Sequence, residues 1–384
     1  MRPLLRILPL LLLAACGSCR AGKTQLSAPA CQLVEDGFGP AGTVPITVEV
    51  IAEGLEVPWG IAWLPGGDAL VTERPGRIRL LRNFALQPTP VATLQVGEST
   101  EGGLLGIAAH PQFADNRQFY VYLTHQDGEE TRNRVERWVL SEDHQRATFE
   151  RVIFGGIRAS TYHNGGRLRF GPDGMLYVGT GDAREPDLAQ NPDAPEGKLL
   201  RLTPEGEVPS DNPFPGKPAF LLGVRNTQGF DWKDAGTLYF TDHGPSGERM
   251  LRGHDEVSVA RKGDNLGWPT VYRCESSAGL VTPALTWHDA VPPGGAALYT
   301  GSAIPEWKDS LLIGTLGSRH LHRVVFSPEN PSQVAQHEVY LDNTHGRLRE
   351  TLMGPDGHLY VTTSNCDGRG SCGPRQDLIL RVRR

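Results

Sequence analysis

Short runs of apolar, β-prone residues recur along this chain, each introduced by a turn and closed by small or polar residues. Six share that form: PGGDALVTER (65–74), HPQFADNRQFYVYLTH (110–125), GPDGMLYVGTGD (171–182), DWKDAGTLYFTDHG (231–244), PEWKDSLLIGTLG (305–317) and GPDGHLYVTTSN (354–365). A turn signal followed by such a run predicts a buried strand. The copies begin roughly 45 to 75 residues apart, the spacing of four-stranded β-propeller blades. Six copies predict an all-β fold, a six-bladed β-propeller of four-stranded antiparallel blades. No long segment carries helical periodicity. If the runs are inner strands, the residues just after them reach the propeller axis. That nominates Glu73, His125, Asp182, His243 and Asn365 for a shared central site.

A chain of 384 residues has room for more than one domain. Blades that bury their faces only against each other argue instead for one toroid over residues 45–384. The net charge of −6 argues against a nucleic-acid partner. At the N-terminus, Arg2 and Arg6 precede an apolar run over 7–15 that is too short to span a bilayer. The run ends Leu13-Ala14-Ala15-Cys16, which resembles a bacterial lipobox. On that reading 1–15 is a signal peptide, Cys16 is lipidated, and the lipid is the only membrane contact of a protein exported to the periplasmic side of the envelope. The other reading is a plain cleaved signal peptide. Residues 16–44, rich in Gly, Ala, Ser and Pro, read as a flexible tether. Export makes Cys19, Cys31, Cys274, Cys366 and Cys372 disulfide candidates, an odd number. Cys366 and Cys372 bracket DGRGS and suit a small closed loop; no CxxC or nearby histidine cluster supports metal binding.

The segment HNGGRLRFGPDGMLYVGTGD places His163 at the opening of one strand and Asp182 at the close of the next. A hairpin would return both to one rim, an arrangement suited to a general base and its orienting carboxylate. A histidine before a Gly-Gly turn is otherwise a surface residue. Arg225 and Asn226 precede another strand, and Arg347 and Arg349 lie two apart, on one face of a third. Like charges on one face cost stability unless an anion answers them. Three arginines from different blades therefore suggest a polyanionic ligand, or else salt bridges to acidic neighbours.

These segments also occur in a distinctive order: EGGLLGIAAHP (101–111), the His163 segment, GVRNTQGF (223–230), HGP (243–245), DNLGWP (264–269) and GRLRETLMGPDG (346–357). Together they resemble the soluble quinoprotein glucose/sorbosone dehydrogenase family, which includes the bacterial aldose sugar dehydrogenases. The resemblance implies a six-bladed propeller that uses pyrroloquinoline quinone (PQQ) and calcium (Ca2+). Its substrate would be an aldose sugar, oxidised at the C1 hydroxyl to a lactone, with electrons passed to an external acceptor such as a quinone, cytochrome or dye. It makes His163 the catalytic base and Asp182 its partner, and it sets Arg225, Asn226, Arg347 and Arg349 around PQQ. Gly244 and Pro245 would offer main-chain carbonyls to the active-site calcium, and Glu256 and the backbone of Leu266 would belong to a second, structural calcium site. Two positions depart from the family pattern. Glu101 stands near the quinone where Gln is usual, and Gly317 stands where glucose-oxidising members carry a lysine. Both changes would weaken PQQ binding unless another cation, with Arg319 the first candidate, replaces the lost one. A calcium-dependent lactone or ester hydrolase and a non-catalytic glycan- or protein-binding propeller are the alternative readings.

Overall fold

The structure, a computed structural model, describes residues 31–97 and 100–384. Cys16, Cys19 and the proposed signal peptide lie outside the described residues. The strands form six sheets that make the blades of a propeller. Among the described residues, helix is confined to Phe113–Asn116 and three short 3-10 turns.

The innermost strands of blades 1 to 6 are Pro58–Trp63, Leu104–Ala109, Leu168–Phe170, Gly229–Asp234, Pro293–Leu298 and Leu348–Met353. The second strands are Ala69–Glu73, Gln118–Asp127, Leu176–Gly179, Thr237–Asp242, Leu311–Thr315 and Leu359–Thr363. The repeat seen in the sequence is thus the second strand of every blade, not the innermost one. The second strand has strands on both edges and blades on both faces, so it is buried along most of its length and its centre is apolar. The innermost strands crowd the axis and carry glycines instead. A Cβ on Gly106 would lie 2.1 Å from the Gly166 carbonyl oxygen of the next blade.

Six hydrophobic clusters form the core, one at each blade–blade interface. Successive residues of one strand serve opposite interfaces, because side chains alternate between the faces of a sheet. Leu238 and Phe240 pack towards blade 3 while Tyr239 packs towards blade 5. This is why the repeats read as continuous apolar runs rather than as alternation. The ring closes when Thr47–Leu55 pairs with Asp377–Arg383 as the outer strand of blade 6.

Residues 31–44 are not a tether. Gln32–Val34 adds a parallel edge strand to blade 4 beside Leu285–Trp287, and Ala41 bridges Val339 on blade 5. Cys31 is disulfide-bonded to Cys274, and Phe38 stacks on His320 with ring centroids 5.0 Å apart. Val34 and Phe38 pack against the core between blades 4 and 5, and Val44 against that between blades 5 and 6; composition alone hid this. Cys366 and Cys372 close the small loop expected of them.

Candidate active site

Antiparallel pairing puts the start of each innermost strand and the end of each second strand at the same rim. A cavity of about 690 Å³ opens there. Trp59, Glu101, His163, Arg225 with Asn226, Pro292, and Arg347 with Arg349 come from the entries to the six innermost strands. Arg74, His243, Leu316 and Asp367 come from beyond the second strands.

His163 holds a left-handed backbone, φ 64°, a conformation that costs a non-glycine residue energy and is found at over-determined sites. Its N–H donates to Glu101 Oε2 at 2.9 Å, and its carbonyl abuts Gly181, where a Cβ would lie 2.0 Å away. Its Nδ1 is 2.7 Å from Asp182 Oδ1. A carboxylate only accepts, so Nδ1 carries the proton and Nε2 presents its lone pair. Asp182 is fully buried and held by two further donors. Trp268 Nε1–H donates to Oδ2 at 2.9 Å, and the Arg184 N–H donates to Oδ1 at 2.8 Å. The hairpin expected from the sequence does unite His163 and Asp182.

Arg347 reaches Asp367 Oδ2 through Nε at 2.9 Å and Nη2 at 2.8 Å, while Arg349 Nη2 lies 3.6 Å from the same oxygen. Two guanidiniums therefore share one carboxylate, so salt bridging answers only part of their charge. Burial pulls Arg349 down to about 9, against the pull of Asp367. Arg225 stacks over Trp268, 5.6 Å from the ring centroid, and its Nη2 is 2.7 Å from Glu248 Oε1. Arg225 Nε and Asn226 Nδ2 are buried without a hydrogen-bond partner among the described residues. Six arginines and three carboxylates line the cavity, an excess of three positive charges.

Glu101, expected to add negative charge near the ligand, is paired with a cation. Burial alone would raise its carboxyl, but the His163 N–H and Arg369, whose Nη1 is 3.0 Å away, hold it below the usual carboxylate range. The cation supplied to this region is Arg369. Arg319 lines a different depression with Asn343 and Arg375. Of the five residues nominated from strand ends, Asp182 and His243 reach the site. Glu73 is buried against Arg77 and Arg79, His125 faces Arg134, and Asn365 holds the His345 carbonyl and the Arg347 N–H.

Gly244, Pro245, Glu256 and Leu266, expected at two calcium sites, gather around one separate small cavity of about 10 Å³ with Asp242, His254 and Trp268. Asp242 accepts the Arg225 and Asn226 N–H groups, both at 2.7 Å, and Asp255 accepts the Gly244 N–H at 2.9 Å. Burial pushes Asp242 up to about 7 and Asp255 up to about 6. Burial, and then repulsion from Asp242 and Asp255, raises Glu256. Among the described residues no group of three or more His, Cys, Asp or Glu side chains has metal-holding geometry. A cation here would lean on main-chain carbonyls. Sequence reasoning missed Glu248, Arg369, Arg74 and Trp59. Trp268 was visible only as part of DNLGWP.

Comparison with known proteins agrees with this geometry. The family described as Glucose / Sorbosone dehydrogenase matches residues 55–380. An aldose sugar dehydrogenase of Escherichia coli is 32% identical over 354 residues, covering 85% of this chain and 92% of its own. A putative oxidoreductase (glucose dehydrogenase) of Thermus thermophilus superposes with a TM-score of 0.81 at 42% identity, covering 88% of this chain and 100% of that one. A PQQ-bound aldose sugar dehydrogenase of Streptomyces coelicolor does so with a TM-score of 0.78 at 33% identity, over 89% and 99%. The chain belongs to the glucose/sorbosone dehydrogenase family.

Proposed function

We propose that this protein is a PQQ- and calcium-dependent dehydrogenase that oxidises aldose sugars at the C1 hydroxyl to lactones. The observation that carries the reading is the buried His163–Asp182 pair on the wall of a cavity with an excess of three positive charges. PQQ bears three carboxylates, and a relative of this chain is known in PQQ-bound form. The orphaned Arg225 Nε and Asn226 Nδ2 donors, with Arg347 and Arg349, would hold it. The main-chain carbonyls of Gly244 and Pro245 would hold the active-site calcium, and Glu256 with the backbone of Leu266 would hold a second, structural one; a cation's charge suits the buried carboxylates of Asp242 and Asp255 beside them. When bound, PQQ would supply the hydride acceptor and the active-site calcium would supply Lewis-acid polarisation.

The chain's own residues do the proton chemistry. His163 Nε2 takes the proton of the sugar C1 hydroxyl as the C1 hydride departs. Asp182 fixes the tautomer beforehand and stabilises the imidazolium afterwards. Trp268 and the Arg184 N–H keep Asp182 in place. The two electrons leave to an external acceptor. Lipid attachment at Cys16, after export, completes the proposal; the two disulfides are those of a chain folded in an oxidising compartment. The test is the absorbance spectrum of protein reconstituted with PQQ and Ca2+, before and after sugar. Sugar-dependent bleaching of the oxidised cofactor is expected. Full activity after exhaustive chelation, or with a nicotinamide cofactor alone, would refute it.

A further inference from the structure

Glu248 has no place in the chemistry above, yet it sits in the middle of the site. It arrives on a turn that begins at Ser246 and Gly247, directly after the HGP segment. Its Oε1 is 2.7 Å from Arg225 Nη2 and 3.6 Å from His163 Nε2. The Ser246 N–H steadies the other oxygen at 2.6 Å. One carboxylate thus neutralises the arginine that would hold the anionic ligand, and it also covers the lone pair that would take the substrate proton. Burial would raise the Glu248 carboxyl, but Arg225 and local N–H groups outweigh it, so the group is an anion.

Little packs this turn down. Met250, two residues on, is 95% exposed, and the Glu248 side chain is itself 27% exposed. Gly247 has φ 129°, a backbone that other residues rarely adopt. By contrast, His163, on the entry to an innermost strand, and Arg349, on such a strand, are both buried.

We infer that Glu248 is a latch, an internal anion that occupies the Arg225 and His163 positions and must be expelled when the anionic cofactor enters. The inference rests on the PQQ reading above. A ligand carboxylate and Glu248 compete for one guanidinium, and two carboxylates beside each other repel. Loading therefore costs the Arg225–Glu248 pair, and the turn swings towards solvent. Only then is His163 Nε2 open to a sugar hydroxyl.

The experiment is titration of apo protein with PQQ at fixed Ca2+, without sugar, read by absorbance, for wild type, Glu248→Gln and Glu248→Ala. Losing a charge-assisted hydrogen bond from the latched state should tighten PQQ binding by about tenfold. Hydrogen–deuterium exchange of wild type supplies a second readout. On loading, peptides over 244–252 should exchange faster while those over 163–168 and 347–350 slow. Wild type that binds PQQ, with unchanged or weaker affinity in both variants, would overturn the latch alone. So would protection of 244–252 on loading, which would make Glu248 a contact of the ligand. No PQQ binding by wild type with binding by Glu248→Gln would support the latch in its tightest form. No binding by any of the three would overturn the cofactor reading and the latch with it.

Discussion

Asp182→Asn separates orientation from charge at the proposed base. Asp182 accepts three hydrogen bonds: His163 Nδ1–H and the Arg184 N–H on Oδ1, and Trp268 Nε1–H on Oδ2. An amide can replace only one of these oxygens. With its oxygen at the Oδ1 position it keeps two donors satisfied and turns its NH2 against Trp268 Nε1–H. The buried unsatisfied donor costs stability by about 1–3 kcal/mol. The His163 tautomer survives, but the imidazolium loses a charged partner. A charged hydrogen bond contributes about 1.5–3 kcal/mol, so kcat should fall roughly ten- to a hundredfold. The reverse flip would satisfy Trp268 but strand the Arg184 N–H and force the wrong His163 tautomer, at a cost nearer about 10⁴-fold. Each state strands one donor, and only the first keeps the His163 tautomer, so the first is the expected one. The assay pairs steady-state kcat with thermal unfolding in wild type, Asp182→Asn, Trp268→Phe and the double variant. Removing the indole N–H should reduce the stability cost of Asp182→Asn by about 1 kcal/mol or more. If Asp182→Asn keeps more than about half of wild-type kcat, or its stability cost is the same in both backgrounds, the account of this carboxylate is wrong.

His163→Ala should lower kcat by at least about 10²–10⁴-fold while leaving the PQQ titration unchanged; more than about a tenth of wild-type kcat would remove His163 as the base. The two disulfides should differ in effect. Cys31–Cys274 closes a long loop (sequence separation 243) and ties down the N-terminal segment, so Cys274→Ser should lower Tm and expose residues 31–44 to proteolysis. Cys366–Cys372 closes a short loop that carries Asp367 and Arg369 to the cavity, so its removal should cost only about 2 kcal/mol of stability yet weaken PQQ binding measurably. Lys198 is buried, and burial lowers it to about 7 from 10.5. Between those values the unfolded chain binds a proton that the folded one has released. Wild-type stability should therefore rise with pH across that window relative to Lys198→Met, and parallel profiles by denaturant titration would contradict the assignment.

The fold was legible because it is periodic. Turn signals and apolar runs at blade spacing need no tertiary information, and they announce six blades. The His163–Asp182 pair was legible for a related reason: a hairpin of known length returns its ends to one rim. Which residue of each strand end faces the axis was not legible, since it depends on register and twist; Glu73, His125 and Asn365 lie elsewhere. Charge compensation was decided by contacts between distant segments. Arg369 reaches Glu101, 268 positions away in the chain, across the closure of the ring. Residues 31–44 looked like a tether because composition cannot show that sheet edges await them. Glu248 belongs to a turn whose local sequence carries no chemical signature, and only the toroid, by bringing blades 3 and 4 together, sets its carboxylate against His163 and Arg225. Local sequence determined the elements and the blade count, because strand and turn preferences act over a few residues. The site's charge balance was decided by tertiary structure, because electrostatic partners are chosen by distance in space.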